Sequence, residues 1–160
     1  MTWTTPKTDW NTGELVAATH LNAIGENLVA LKQPPTAVYT TTADIEGRNE
    51  AFLDVDSDNL SLTITTTGGD VLVHFHGSME RINYDNSMVY CDVAVDGARQ
   101  GEDLGIVRAY VNSDDRAVSF THLIQNLAAG SHTFKLQWKI QYRTVGIKLF
   151  AGAQFWAREI

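Results

Sequence analysis

From Ala37 onward, apolar residues return at every second position in short runs separated by turn residues, and few folds satisfy that period. In "NLSLTITTTG", Leu60, Leu62 and Ile64 alternate with Ser61, Thr63 and Thr65. "GDVLVHFHG" sets Val71, Val73 and Phe75 on one face and Leu72, His74 and His76 on the other. "SMVYCDVAVDG" closes on the turn dipeptide Asp96-Gly97, and "RAVSFTHLIQNL" leads into the turn "AAGSH". "TFKLQWKIQY" then alternates Phe134, Leu136, Trp138, Ile140 and Tyr142 against Lys135, Gln137 and Lys139. About seven to nine short strands with regular turn signals predict an antiparallel sandwich or barrel. No strand–helix–strand spacing appears, which argues against a parallel sheet.

Ahead of this region the period changes. Residues 1–13 are Thr-rich and hold Pro6, Trp3 and Trp10, too polar and short a segment to make its own core. An extended arm is expected, whose tryptophans either pack on their own chain or anchor to a neighbouring subunit. A helix is predicted from Ala17 to Lys32, with Leu21, Ile24, Leu28 and Leu31 spaced three, four and three apart. Gly25 and Asn27 weaken it, and a lone helix of this length is marginal in water. It therefore needs a partner, either a sheet of its own chain or copies of itself. "QPP" ends it, and Thr19 is a candidate cap for a shorter version.

The chain has 160 residues, 44% hydrophobic and 19% charged, the composition of an ordinary globular protein. Its net charge of −7 argues against nucleic acid or an anionic membrane surface as partner. No apolar run approaches the roughly 20 residues of a membrane span, and "MTWTTPKTDW" lacks the apolar stretch of a signal peptide. The single cysteine, Cys91, shares a face with Val89, Val93 and Val95, so a buried, inert thiol is expected.

Few constellations point to chemistry. His74 and His76 share a strand face but lack the third and fourth ligands a zinc ion needs. Asp54, Asp56 and Asp58 open like a calcium loop, yet Asn59 and Thr65 stand where Gly and Glu are required, so a solvated turn is expected. "SDDR", Ser113 to Arg116, reads as a loop. No nucleophile elbow, phosphate loop or His-Glu-x-x-His occurs. A non-enzymatic protein with no cofactor and no metal is the expectation. Tyr84, Tyr90, Tyr110 and Tyr142 are the aromatics that could stack on sugar rings if exposed.

The N-terminal region, through Trp10, Gly13, Glu14, Leu21, Asn22, Asn27 and Leu28, resembles the opening of many tailed-bacteriophage virion proteins. The body, through "GDVLVHFHGSM", "VYCDVAVDG", "LAAGSHTFKLQWK" and "AQFWAREI", is similar to the tumour necrosis factor-like jelly roll. The resemblance implies an all-β fold: an antiparallel jelly-roll sandwich at 36–160, preceded by an N-terminal arm and one short amphipathic helix at 1–35. It implies a homotrimer, with Leu21, Ile24, Leu28 and Leu31 as the oligomerisation helix and Trp3 and Trp10 as the attachment arm. Phe150, Phe155 and Trp156 are then expected at the threefold axis. The partners would be the chain itself and other virion proteins, with the product made in the host cytoplasm and carried in the virion. Tail-fibre knob, tail accessory and capsid decoration are the roles such domains fill. A carbohydrate-binding host-recognition module is the alternative, and a glycan depolymerase has no positive support in the residues.

Overall fold

The computed structural model describes residues 7–9, 17–32, 34–83 and 87–160, with the side chains of 29–32 outside the description. Trp3, Trp10, Gly13, Glu14 and Tyr84 lie outside the described residues, as does the side chain of Leu31. The chain divides into two compact units, Met1–Pro35 and Thr36–Ile160.

The first unit holds helix α1 (Ala18–Lys32). Its first turn is closed by the Ala17 carbonyl, which accepts from the amides of His20 (3.0 Å) and Leu21 (3.4 Å). The helix thus starts one residue ahead of Thr19, which is inside the first turn and does not cap it. Pro34 and Pro35 follow its end, as the lost amide donor requires.

The second unit contains β1 (Thr36–Thr40), β2 (Ile45–Gly47), β3 (Leu53–Asp54), β4 (Ser61–Thr66), β5 (Gly69–Arg81) and β6 (Ser87–Val95). Then come β7 (Ala98–Arg99), β8 (Val107–Val111), β9 (Arg116–Leu127), β10 (Gly130–Ile140), β11 (Ile147–Leu149) and β12 (Gln154–Glu159). Among the described residues these form two six-stranded sheets with every pairing antiparallel. In the first, β5 carries β9 along one edge and β12 and β11 end to end along the other; β1 and β2 pair outside them. In the second, β10 lies between β6 and the short pair β3 and β4, with β7 and β8 on the far edge of β6. The long strands run β1-β12-β5-β9 in one sheet and β4-β10-β6-β8 in the other, and among these eight the chain changes sheet at every step except from β6 to β8. That connectivity is a jelly roll.

The inward alternation supplies one core. Val71, Val73, Phe75 and Met79 of β5 and Phe155 and Ala157 of β12 are fully buried in the first sheet. Val89, Cys91 and Val93 of β6 and Phe134 and Leu136 of β10 are fully buried in the second. The alternation in β10 stops at Ile140, so Tyr142 is off the strand and half exposed. Phe155 is likewise not where a threefold axis would need it. Neighbours on a strand point to opposite faces, so Phe155 and Trp156 cannot share one. Phe155 points inward at 0% exposure and Trp156 outward.

The β6–β7 hairpin turns on Asp96 (φ 51°) and Gly97 (φ 85°), the two left-handed residues a type I′ turn requires. Asp96 also ties this turn to β10. Its carboxylate accepts from the Thr133 amide (2.9 Å) and lies 2.7 Å from His132 Nδ1, while His132 Nε2 lies 2.9 Å from the Ala128 carbonyl. Acceptors at both ring nitrogens favour the doubly protonated ring. The bond to Asp96 outweighs burial and holds His132 above its usual value of 6.5.

Two outcomes follow. Phe155→Ala should cost about 3–5 kcal/mol in urea unfolding through the lost burial and the cavity left behind. His132 has a raised folded pKa, so its stabilisation is complete below about pH 6.5 and fades as pH rises through the folded value. The urea midpoint of the native chain should therefore carry a downward component across that window which is missing in His132→Gln.

Candidate functional site

The outer face of the β5 sheet is built by strand register. Thr36, Arg158, Leu72 and Leu123 form one rung across β1, β12, β5 and β9. Val38, Trp156, His74 and Thr121 form the next, and Thr40, Gln154, His76 and Ser119 the third. Their strand neighbours Phe75, Val73, Phe155, Ala157 and Phe120 occupy the core, so the period of two sends these twelve outward. Val38 is 61% exposed and Leu123 41%, with Leu72 and Trp156 half-buried between them. No carboxylate stands on any of the three rungs, although the chain has 19 acidic residues. Phe150 continues this side beyond β11, with the Lys148 ammonium 4.4 Å from its ring centre and paired with Glu80.

His74 is fixed in the middle rung. Its ring stacks on Trp156, centroids 5.2 Å apart at 28°, and its Nδ1 lies 2.9 Å from Thr121 Oγ1. Burial, then the nearby His76, push its pKa below the usual imidazole value, so the stack is neutral near pH 7. His74 and His76 are side by side as alternation predicts, and among the described residues no three His, Cys, Asp or Glu side chains converge as metal ligands.

On α1, Leu21, Ile24 and Leu28 are 59%, 44% and 54% exposed, an apolar stripe facing solvent in the single chain. The stripe is what the sequence pattern singles out, whereas the sheet face is assembled by register. Val38 and Leu123 went unnoticed because an outward Val or Leu reads as an ordinary alternation error until register lines it up with Trp156 and Leu72.

The other candidates resolve as local structure. Asp56 closes a turn, accepting from the amides of Asp58 and Asn59 (3.0 Å each) and from Asn59 Nδ2 (2.9 Å). Asp54 faces away from it, accepting from Lys135 Nζ (2.7 Å) and Gln137 Nε2 (2.8 Å). Asp114 bonds to Asn112 in the loop before β9. Tyr110 and Tyr142 are half exposed, whereas Tyr90 is half-buried with the Lys139 ammonium 5.2 Å from its ring centre. Two interactions had no sequence signal: Phe52 lies between Arg99 (3.8 Å) and Lys139 (4.7 Å), and the fully buried Asp92 accepts from Arg99 Nε and the Gly101 amide (2.8 Å each).

No protein-family model matches the chain, and no curated protein matches it. Among solved structures it is similar to Eiger TNF from S. frugiperda, at 11% identity and a TM-score of 0.45, covering 80% of this chain and 94% of that one. It is also similar to the CBM36-1 domain of a multidomain xylanase from the hindgut metagenome of Trinervitermes trinervoides, at 12% identity and a TM-score of 0.44, covering 78% and 98%.

Cys91 gives the test of reactivity. It is fully buried, and burial, helped by the Asp92 charge, pushes its thiol up to about 12. A thiol reagent at pH 8 should leave the native chain unlabelled over hours and label one site per chain at once in denaturant.

Proposed function

We propose that this chain is a non-enzymatic structural protein of a tailed-bacteriophage virion. It assembles as a homotrimer and is attached through its N-terminal arm, as a tail-fibre knob, tail accessory or capsid decoration. The observation that carries the reading is the outer face of the β5 sheet. A chain of net charge −7 repels its own copies, and the three rungs of this face offer contact with no carboxylate among them, Glu80 beyond them being paired with Lys148. Val38, Leu72, Leu123 and Trp156 supply apolar surface there, with the neutral His74 between them. The exposed stripe of Leu21, Ile24 and Leu28 supports the same reading, since such a helix gains stability only by covering that stripe.

The virion context comes from the N-terminal pattern around Trp10, Gly13, Glu14, Leu21, Asn22, Asn27 and Leu28, which resembles the openings of phage virion proteins. Other virion proteins would then be the arm's partners, and the jelly roll would be carried at the particle surface.

Light scattering of the full chain tests this. The expected mass is that of three chains, and Val38→Asp with Trp156→Asp should yield folded monomer by placing carboxylates on the shared face. Leu21→Ser with Ile24→Ser and Leu28→Ser should loosen the trimer at low concentration. A monomeric native chain would remove the assembly reading, and a trimer indifferent to both sets of changes would move the interface elsewhere.

A further inference from the structure

The three outward rungs of the β5 sheet gather titratable groups of one sign. His74 stands in the middle rung, half-buried, and its ring stacks on Trp156 at 5.2 Å while Nδ1 lies 2.9 Å from Thr121 Oγ1. His76, exposed, is two residues along β5 and so on the same face. Arg158 stands on the rung at the other side of His74.

An imidazolium at His74 has no acid to answer it. β12 brings Arg158 and two uncharged side chains to these rungs, and β9 and β1 bring uncharged ones alone. Two further charged or titratable groups on the flanking strands belong to the other face. Glu159 is buried and accepts from the Thr67 amide, and His122 pairs with the fully buried Val73. Arg116 is at the far end of β9, opposite Met79. Along β5 itself, Asp70 lies four residues from His74 and accepts from the Asn126 amide, while Glu80 lies six away and is paired with Lys148.

Covering this face strips water from His74. The charged ring loses more by that than the neutral one, and nothing on the rungs replaces the lost water. The Trp156 ring favours a cation over its face, but it lies against His74 whether the face is open or covered and drops out of the difference. A charge on His76 beside it adds like-charge repulsion, and each further copy brings the same set. The covered face therefore binds a proton more weakly than the open one, so acid favours the open one. In the single chain, burial and then His76 already hold His74 below 6.5, and the window opens below that pH.

We infer that this face is a proton-sensitive joint, in which protonation of His74 in mild acid releases the copies held there at neutral pH; the device rests on reading the face as the surface where copies meet. Net charge alone predicts the opposite. Acid cuts the −7 that keeps copies apart as the five histidines protonate, so a chain joined elsewhere should associate more tightly in acid.

Sedimentation of the full chain over a dilution series, at pH 7.5 and at pH 5, tests it, with an unfolding curve at each pH to show that the fold is kept. One proton per chain raises the concentration at which a trimer is half dissociated by about thirtyfold for each pH unit below the open-face value. The ratio of that concentration at pH 5 to that at pH 7.5 should reach at least about tenfold in the native chain. In His74→Phe, which keeps a ring against Trp156, and in His74→Gln, which keeps a polar group beside Thr121, the ratio should fall to about one or below, since only the net-charge effect remains. A native trimer that holds equally well at pH 5 overturns the joint and leaves the assembly reading standing, and so does a native ratio reproduced in both variants. Two folded variants that are already monomeric at pH 7.5 also overturn it, because the ring would then hold the copies together rather than sense protons. A native chain that is monomeric at pH 7.5 removes the assembly reading and the joint with it.

Discussion

The pairing of β5 along both edges is the constraint on which the rest of the jelly-roll unit depends. Its stretch from Val71 to His76 is bonded to β12 on one side and β9 on the other, so its orientation is held from both directions. A slip of one residue would exchange Phe75 for His74 and Val73 for Leu72 in the core. Burying an imidazole where a phenyl ring now packs would leave polar nitrogens without partners. The inward set is therefore chosen strongly, and the outward set comes with it.

That outward set is what gives the unit a face. Leu72, His74 and His76 cannot rotate away from the rungs that also hold Arg158, Trp156 and Gln154. The Asp70 carboxylate extends this control to the end of β9. It accepts from the Asn126 amide at 2.9 Å, where Asn126 has φ 54° and the register shifts by one residue between Gly69 and Val71. Leu123 and Ile124 lie before the shift, in the regular alternation of β9 that sends Leu123 outward and Ile124 inward, and the irregularity ends the strand pairing just beyond them.

The two sheets differ in what they show to solvent. The first presents apolar and neutral side chains with one fixed cation, Arg158, on its three rungs. The second presents pairs of opposite charge, Lys135 with Asp54 and His132 with Asp96. A surface of satisfied ion pairs gains little from covering by another protein, since desolvating them offsets the contact. A surface of Val, Leu and Trp gains from it.

By itself the sequence determined what is local. The two-residue period set strand identity and the inward residues, including Cys91 among its valines, because that period is a property of consecutive side chains. Asp96-Gly97 announced its turn because few residues adopt left-handed φ. Proline announced the end of α1, and the Leu21, Ile24, Leu28 spacing announced a stripe. Only the tertiary structure decided which strands became neighbours. Trp156 meets His74, Asp54 meets Lys135 and Gln137, and Arg99 meets Phe52, all through pairings or loops whose partners are remote in sequence or unmarked by motif. Tertiary packing also decided that Phe155 is the inward one of the adjacent pair Phe155 and Trp156, which family habit had grouped. Alternation fixes a face for each residue relative to its neighbours, but the energy that selects one register is collected across the whole core, and no short stretch of chain carries it.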